Sequence, residues 1–283
     1  MPTFAFWNLN QKVTQEAIRD FARESDADVV VLAENPHPVG DLLKVMNRGT
    51  DRLYSQDAGH SDRLTLLTRF DPSRFHLVTD RPGIAIRHYQ LPLGASFLVV
   101  AVHLASKMWK QTEDHVQLGA WLGRSINEAE VRFGHSRTIV IGDLNMNPFE
   151  AGVVGSEGLH AVMDRRIAVG GSRKIQGESR AFFYNPMWSL LGDGDDKPPG
   201  TYFYNSGNPV NYYWNTFDQI LLRPSLLKFL GPDGISVVTQ LGGQSLLTAA
   251  GRPNQQTHSD HLPVVCRLNT IEETEDGDEE SVG

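Results

Sequence analysis

The chain has 283 residues, 40% of them hydrophobic, and a single cysteine, Cys266, which excludes an internal disulfide framework. Its net charge of −8 does not exclude nucleic acid as a partner, because segment 271–283 holds seven acids and no base. The remaining 27 acids nearly balance the 26 bases. Segment 271–283 is too polar and charged to bury enough surface to order itself, and no other linker is evident, so we expect residues 1–270 to form a single domain followed by a disordered acidic tail.

No apolar run approaches membrane-spanning length, and the start of the sequence, Met1 to Phe4, lacks a basic region followed by a long apolar segment, so we expect no signal peptide. These features predict a cytoplasmic protein that does not act at a membrane. Nothing in the sequence indicates an obligate protein partner.

In chain order, the hydrophobic pattern predicts short strands alternating with helices, which is typical of a layered α/β domain. The predicted strands are 3–9, 28–34, 64–68, 84–91, 97–104, 138–141, 216–222 and 262–268, and the predicted helices are 13–22, 40–48 and 118–133.

The strand 138–141 leads directly into a turn that carries Gly142, Asp143 and Asn145. Glycine permits a sharp turn, and residues two apart in extended geometry project to the same side. Asp143 and Asn145 therefore aim an acid and an amide at one point. A turn in which the two side chains only cap their own backbone explains this stretch equally well.

Other predicted strands also end in polar side chains. Asn8, Glu34 and His103 each follow an apolar run, and each alone is better explained as a capping or core residue. Asp218 lies inside an apolar strand, where a carboxylate is costly unless it is paired. Asp260 and His261 precede the last strand.

The segment 151–215 is a loop-rich insertion with many aromatic residues. Its arginines, next to aromatic residues, could contact nucleic acid through phosphate pairing and stacking. We give slightly more weight to the alternative that most of the aromatic side chains attach the insertion to the core. The arginines and lysine concerned are Arg165, Arg166, Arg173, Lys174 and Arg180.

The collected side chains offer oxygen and imidazole ligands without a thiolate, which favours Mg²⁺ or Mn²⁺ over zinc. Hydrolysis of a phosphodiester requires that its charge be offset, a water deprotonated and a leaving oxygen stabilised. One metal at Glu34, two imidazoles beside the phosphate and Asp143 near the attacking water would meet these needs.

Six motifs, in order along the chain, resemble the endonuclease/exonuclease/phosphatase superfamily. They are Trp7-Asn8-Leu9-Asn10, Leu32-Ala33-Glu34, Val102-His103-Leu104, Gly142-Asp143-Leu144-Asn145, Phe217-Asp218-Gln219-Ile220-Leu221 and Ser259-Asp260-His261-Leu262-Pro263-Val264. The resemblance implies a four-layer α/β sandwich in which two mainly antiparallel mixed sheets pack face to face, with helices outside, as in DNase I.

The resemblance also implies residue roles. Glu34 resembles the metal ligand, with Asn8 beside it, and Asp260 resembles a second metal-binding or site-shaping carboxylate. Asp143 resembles the group that orients or deprotonates the water, held by Asn145.

The remaining roles concern two imidazoles. His261 resembles the phosphate-contacting histidine, oriented by Asp218. His103 occupies the position where DNase I and the phosphatases carry histidine and the abasic endonucleases carry tyrosine. No glutamate is evident to orient His103, and Asp62 or Asp57 are the candidates for that contact.

The sequence therefore predicts a divalent-metal-dependent phosphodiester hydrolase, most simply a nuclease acting on DNA or RNA. Lys107, Trp109 and Lys110, close after His103, are candidate substrate-binding residues. A phosphomonoesterase or a phosphodiesterase for lipid headgroups is the alternative, because one fold hosts many substrates. A non-catalytic binding module ranks last, since every motif residue is present.

Overall fold

The structure, a computed structural model, describes residues 2–57, 59, 61–91, 96–107, 112–194 and 197–269. Trp109, Lys110 and the acidic segment 271–283 lie outside the described residues, as do the predictions made for them. Within the described ranges, no helix has both the length and the apolar character needed to cross a membrane.

The first half of the described chain contains most of the long strands and the three long helices. Its elements are β1 (Thr3–Asn8), α1 (Gln15–Glu24), β2 (Val29–Ala33), α2 (Val39–Met46), β3 (Ser55–Gln56), β4 (Leu64–Thr68), a 3-10 turn (Pro72–Arg74), β5 (Phe75–Arg81), β6 (Ile84–Gln90), β7 (Ser96–His103), α3 (Thr112–Phe133) and β8 (Thr138–Asp143).

The second half consists mostly of shorter elements. They are α4 (Ala151–Val154), β9 (Ala161–Val162), α5 (Arg165–Val169), β10 (Ser172–Ile175), β11 (Glu178–Ala181), β12 (Phe183–Tyr184), a 3-10 turn (Pro186–Leu190), β13 (Tyr202–Phe203), β14 (Trp214–Asn215), β15 (Asp218–Leu222), a 3-10 turn (Pro224–Phe229), β16 (Leu230–Val237), β17 (Gln240–Leu241), β18 (Gln244–Ser245) and β19 (Val264–Leu268).

Two large mixed sheets contain most of these strands. The first has the order β16-β19-β1-β2-β4-β3, and the second has the order β5-β6-β7-β8-β15-β12-β9. Most neighbouring strands are antiparallel, but β1 pairs with β2, β7 with β8 and the short β9 with β12 in parallel. The first two of these pairs each have a crossover helix, α1 or α3, between their strands.

The sheets pack face to face, because alternate residues of each strand enter different layers. Phe4 of β1 belongs to the buried cluster between the sheets, together with Val99 of the second sheet. Trp7 lies on the other face of β1 and packs edge-to-face on Phe21 of α1, with the ring centroids 5.5 Å apart. Helix α3 covers the outer face of the second sheet through Leu122 and other apolar residues. The predicted four-layer sandwich is confirmed.

The sequence pattern missed two of the longer strands, β5 and β16, as well as the short strands of two to four residues. β5 is a sheet-edge strand whose residues are mostly exposed or half-buried, so it lacks the apolar run that marks the central strands. β16 contains Gly231, Pro232 and Gly234, and its register against β19 shifts between Leu230 and Ile235. Both signals resemble those of a loop.

Helix α3 begins at Thr112, earlier than the predicted start at residue 118. The added turn contains Glu113 and Asp114, which have no apolar periodicity but stabilise a helix amino terminus through its dipole. The hydrophobic pattern therefore recognises residues 118–133 of the helix, which pack on the sheet, and misses its charged start.

Strand pairing brings distant polar residues to one edge of the sandwich. Asn8 ends β1 opposite Ala33, the residue before Glu34. In the second sheet, Asp143 at the end of β8 pairs with His103 on one side and with Asp218 on the other. The carboxyl ends of parallel strands and the start of the antiparallel strand β15 thus meet there.

Candidate active site

All but one of the predicted catalytic and metal-binding residues line a single cleft of about 470 Å³. The exception, Asp218, has no exposed surface and lies beneath His261. The cleft-lining members of the predicted set are Asn8, Glu34, His103, Asp143, Asn145, Asp260 and His261.

Asp143 is held in one orientation by two hydrogen bonds to its carboxylate. The side-chain amide of Asn8 donates to Oδ2 at 3.1 Å, and the backbone N–H of Asn145 donates to Oδ1 at 2.8 Å. Asn145 is in turn fixed by its own amide, which donates to the carbonyl of Leu104 at 3.0 Å. Burial raises the pKa of Asp143, while the nearby His261 and these hydrogen bonds oppose that rise.

Gly142 allows β8 to lie close to β7 at this point. Its φ of +147° lies in a region that residues other than glycine rarely adopt. A Cβ placed there would lie 1.9 Å from the carbonyl oxygen of Val102. Only glycine fits between the strands here, so the residue that precedes Asp143 is fixed by close backbone approach.

His261 and Asp218 form a buried ion pair. The Nδ1 atom of His261 lies 2.8 Å from Oδ2 and 3.0 Å from Oδ1 of Asp218. Burial alone would lower the pKa of His261, but the carboxylates of Asp218 and Asp143 raise it to about 10. The imidazole is therefore charged at neutral pH, with Nε2 free to donate to an anion.

His103 has the opposite electrostatic character. Burial lowers its pKa below 6.5, although the carboxylate of Glu34 acts against that shift, so this imidazole is neutral at neutral pH. Its Nε2 atom lies 3.6 Å from Glu34 and 3.9 Å from Asp143. The site therefore contains one neutral and one charged imidazole, an arrangement that separates their chemical roles.

The expected carboxylate partner of His103 is not found. Among the described residues none makes a hydrogen bond with its buried Nδ1 atom. Asp57 instead pairs with Arg87, which is buried inside β6. Asp62 lines the neighbouring cleft together with His103, but it does not contact Nδ1.

Glu34 is the carboxylate best suited to bind a hard cation. Its backbone adopts a left-handed conformation with φ +50°, and its side chain is one-third exposed. Its carboxylate accepts no hydrogen bond from any described residue, which leaves a hard oxygen donor open to the cleft. Asp260 and Asn8 line the same cleft. These donors fit a divalent cation of the Mg²⁺ type.

A second group also has ligand spacing, because atoms of Asp143, Asp218 and His261 lie within 4.8 Å of one another. This group is less suitable for a cation. Nδ1 of His261 already contacts Asp218, so a metal there would have to replace the proton that the ion pair shares. The carboxylate of Glu34 lies 3.6 Å from Nε2 of His103, which is beyond hydrogen-bond distance.

Few of the predicted cationic side chains are placed to contact a substrate in the cleft. Lys107 lines the cleft but forms an ion pair with Glu150 and lies 5.2 Å above the ring of Phe217. The arginines of the insertion do not line the cleft. Arg165 donates to backbone carbonyls, and Arg180 pairs with Glu157 and Glu178.

Sequence reasoning missed the residues that support His261 from the insertion. The ring of Tyr202 packs against its imidazole at 4.6 Å, and the backbone of Tyr202 forms a β-bridge with it. The hydroxyl of Thr201 accepts from the backbone N–H of Asp218 at 3.2 Å. Outside the insertion, Ser259 of the last family motif accepts from the N–H of His261 and donates to the carbonyl of Asn8 at 2.6 Å.

The aromatic cluster that includes Tyr202 was visible in the sequence, but nothing local separates a ring on His261 from one that only fills the core.

The sequence profile of the Endonuclease/Exonuclease/phosphatase family matches residues 5–240. The chain belongs to this family. Its members are enzymes that hydrolyse phosphate esters, generally with a divalent metal, and the donor set at Glu34 agrees with that chemistry. No curated protein matches the chain significantly.

Solved structures share the fold at low sequence identity. A family protein from Bacteroides thetaiotaomicron is 15% identical, covers 96% of each chain and gives a TM-score of 0.56. TDP2 from D. rerio, solved with a single-strand DNA product, is 19% identical, covers 95% of this chain and 99% of its own, and gives 0.52. ANGEL2, described as a 2',3'-cyclic phosphatase, is 15% identical, covers 94% of each chain and gives 0.54.

Proposed function

We propose that this protein is a divalent-metal-dependent phosphodiester hydrolase that cuts nucleic acid. The observation that carries the proposal is that two clefts meet at the site. The 470 Å³ cleft and a second cleft of about 580 Å³ share Glu34, His103 and Ser106. A diester has a substituent on each side of its phosphorus, and a cleft on each side accommodates both.

In the proposed reaction, Asp143 is the general base. Its fixed carboxylate accepts a proton from the attacking water, whose oxygen forms the new bond to phosphorus while the bond to the leaving oxygen breaks in line. A proton from solvent completes the leaving alcohol. A divalent cation held at Glu34, with Asn8 and Asp260 beside it, would supply Lewis-acid stabilisation of the phosphate and leaving-group charge.

The two imidazoles contact the phosphate in different protonation states. The charged His261 donates from Nε2 to a phosphoryl oxygen, and Asp218 keeps this ring oriented and protonated. The neutral His103 faces the site through Nε2, beside Glu34. Asn145 holds Asp143 and lines the same cleft, so its amide is placed to contact the phosphate as well.

The choice of nucleic acid is supported by the two-sided site and by the fold shared with D. rerio TDP2, which was solved with a DNA product. Mg²⁺ or Mn²⁺ as the cation, and the cytoplasm as the location, belong to the same proposal. A small phosphoester is the second candidate. Apart from the charged His261, Lys107 is the sole cation among the described residues of the 470 Å³ cleft, which favours a substrate with few phosphates.

A substrate panel tests the proposal. Purified protein is incubated with single- and double-stranded DNA, RNA, a 2',3'-cyclic nucleotide, phosphomonoesters and a lipid-headgroup diester, with Mg²⁺, Mn²⁺ or chelator. We expect metal-dependent cleavage of a nucleic acid and a loss of about 10²- to 10⁴-fold in Asp143→Asn. Release of phosphate only from monoesters, or equal turnover by Asp143→Asn, would overturn it. Asp164→Asn, a helix-capping change outside the cleft, is the matched control.

A further inference from the structure

One wall of the 470 Å³ cleft is the loop that connects β13 to β14. It presents the rings of Tyr204 and Tyr212, which are 52% and 58% exposed. Large aromatic rings that remain exposed beside a reactive site are typical of a ligand-binding surface. The catalytic scheme proposed above uses neither ring.

The ring of Tyr204 belongs to a series that ends at the catalytic imidazole. Tyr204 lies 6.3 Å from Tyr202 with only 14° between the ring planes, and Tyr202 lies 4.6 Å from His261. A flat group that stacks on Tyr204 is therefore placed close to the phosphate that His261 contacts. Tyr212 flanks the same cleft and packs edge-on against Phe149 at 5.5 Å.

The loop is held in shape by its own hydrogen bonds. The amide of Asn211 donates to the side chain of Asn205 at 3.0 Å and to the carbonyl of Ser206 at 3.1 Å, and it accepts from the N–H of Tyr213 at 3.0 Å. The N–H of Tyr204 donates to the carbonyl of Tyr213 at 2.8 Å. A surface ordered before binding loses less entropy when a ligand arrives.

The chemistry of this wall selects against a duplex. Duplex binding depends on several cations that neutralise backbone phosphates. Among the described residues of this cleft, the charged His261 contacts the scissile phosphate in the proposed scheme, and the only other cation is Lys107, already paired with Glu150. Aromatic side chains stack on the faces of unpaired bases of any sequence. In a duplex the faces of each base are covered by the neighbouring bases.

We infer that the preferred substrate presents an unpaired nucleobase next to the scissile phosphodiester, and that this base stacks on Tyr204 with Tyr212 at its side. The inference rests on the proposed function and specifies the substrate of the same site as single-stranded.

The test compares three labelled probes of one sequence: a short single strand, its duplex, and a single strand with abasic tetrahydrofuran units flanking the scissile phosphate. We expect wild-type kcat/KM for the single strand to exceed that for the duplex and for the abasic strand by at least about tenfold. In Tyr204→Leu and Tyr212→Leu, the ratio of base-bearing to abasic rates falls about tenfold. Tyr204→Phe keeps the ring and restores most of that ratio.

Tyr213→Leu is the matched control, because Tyr213 is 51% exposed in the same loop but does not line the cleft. A preference for the duplex, or leucine variants that leave the ratio at the wild-type value, would overturn the inference and leave the proposed function intact. If no probe is cleaved, the proposed function fails. Binding of the labelled single strand is then measured by fluorescence anisotropy. If the inference holds, Tyr204→Leu must weaken this binding.

Discussion

The carboxylate of Asp218 lies 2.8 Å from Nδ1 of His261, and Asp218 has no exposed surface. The two residues are far apart in the chain. They meet because Asp218 starts β15 at the edge of the sandwich where the segment before β19, which carries His261, also lies. A carboxylate in this position cannot be hydrated, so it remains charged only while the imidazole beside it is protonated.

The first prediction concerns the pH dependence of activity. Because Asp218 and Asp143 overcome burial and raise the pKa of His261 to about 10, the imidazole should stay charged through neutral pH and lose its proton near that value. Asp218→Asn removes one of these charges, so the alkaline limb of kcat/KM should move to lower pH by more than about one unit. An alkaline limb that does not move would contradict this role of Asp218.

The same pair should affect stability. Since folding raises the pKa of His261 above 6.5, its contribution is complete below that pH and is lost as the pH rises toward about 10. Thermal denaturation of wild type and Asp218→Asn in metal-free buffer measures this. The difference between them should shrink across that window, and a constant difference would count against the ion pair.

A second prediction concerns metal binding. If Glu34 holds the cation, saturating Mg²⁺ at about 100 times its Kd should stabilise the folded protein by about 2.7 kcal/mol. Glu34→Gln removes the charged ligand, so most of this gain, measured as a shift in Tm, should disappear. Glu128→Gln, an exposed change on α3, should keep the full shift. A full shift in Glu34→Gln would place the cation elsewhere.

A third prediction concerns the close approach of β7 and β8. Gly142→Ala would place a Cβ 1.9 Å from the carbonyl oxygen of Val102, so the free energy of unfolding should fall by about 3 kcal/mol or more. Gly134→Ala is the control, because Gly134 also has a positive φ, of +68°, but nothing lies within 4 Å of its Cβ position. It should cost only about 1 kcal/mol. Urea denaturation measures both, and equal losses would show that φ alone matters.

The central strands could be predicted because both of their faces are covered. Residues Thr138 to Ile141 are fully buried, so the β-branched run that precedes Asp143 is continuous and easily recognised. Edge strands such as β5 lack that signal. Strand ends at one edge of a layered domain meet, and for this reason the polar side chains that line the cleft could be named in advance from the family motifs.

The surroundings of the site depend on contacts that no local pattern shows. Arg87 lies inside the apolar strand β6, yet it pairs with Asp57 and removes that carboxylate as a partner for His103. Tyr202 reaches His261 through a single β-bridge between segments 59 positions apart in the chain. Lys107 forms an ion pair with Glu150, which is 43 positions away in the chain. Such pairings follow from the tertiary fold.

Whether the strand-end side chains form one cation-dependent site is tested most directly by a crystal soaked in Mn²⁺ and its anomalous difference map. We predict one strong peak in the cleft against the carboxylate of Glu34, with Asp218 still bonded to His261. A peak between Asp143, Asp218 and His261 with Glu34 uninvolved, or no peak in the cleft at saturating Mn²⁺, would contradict it.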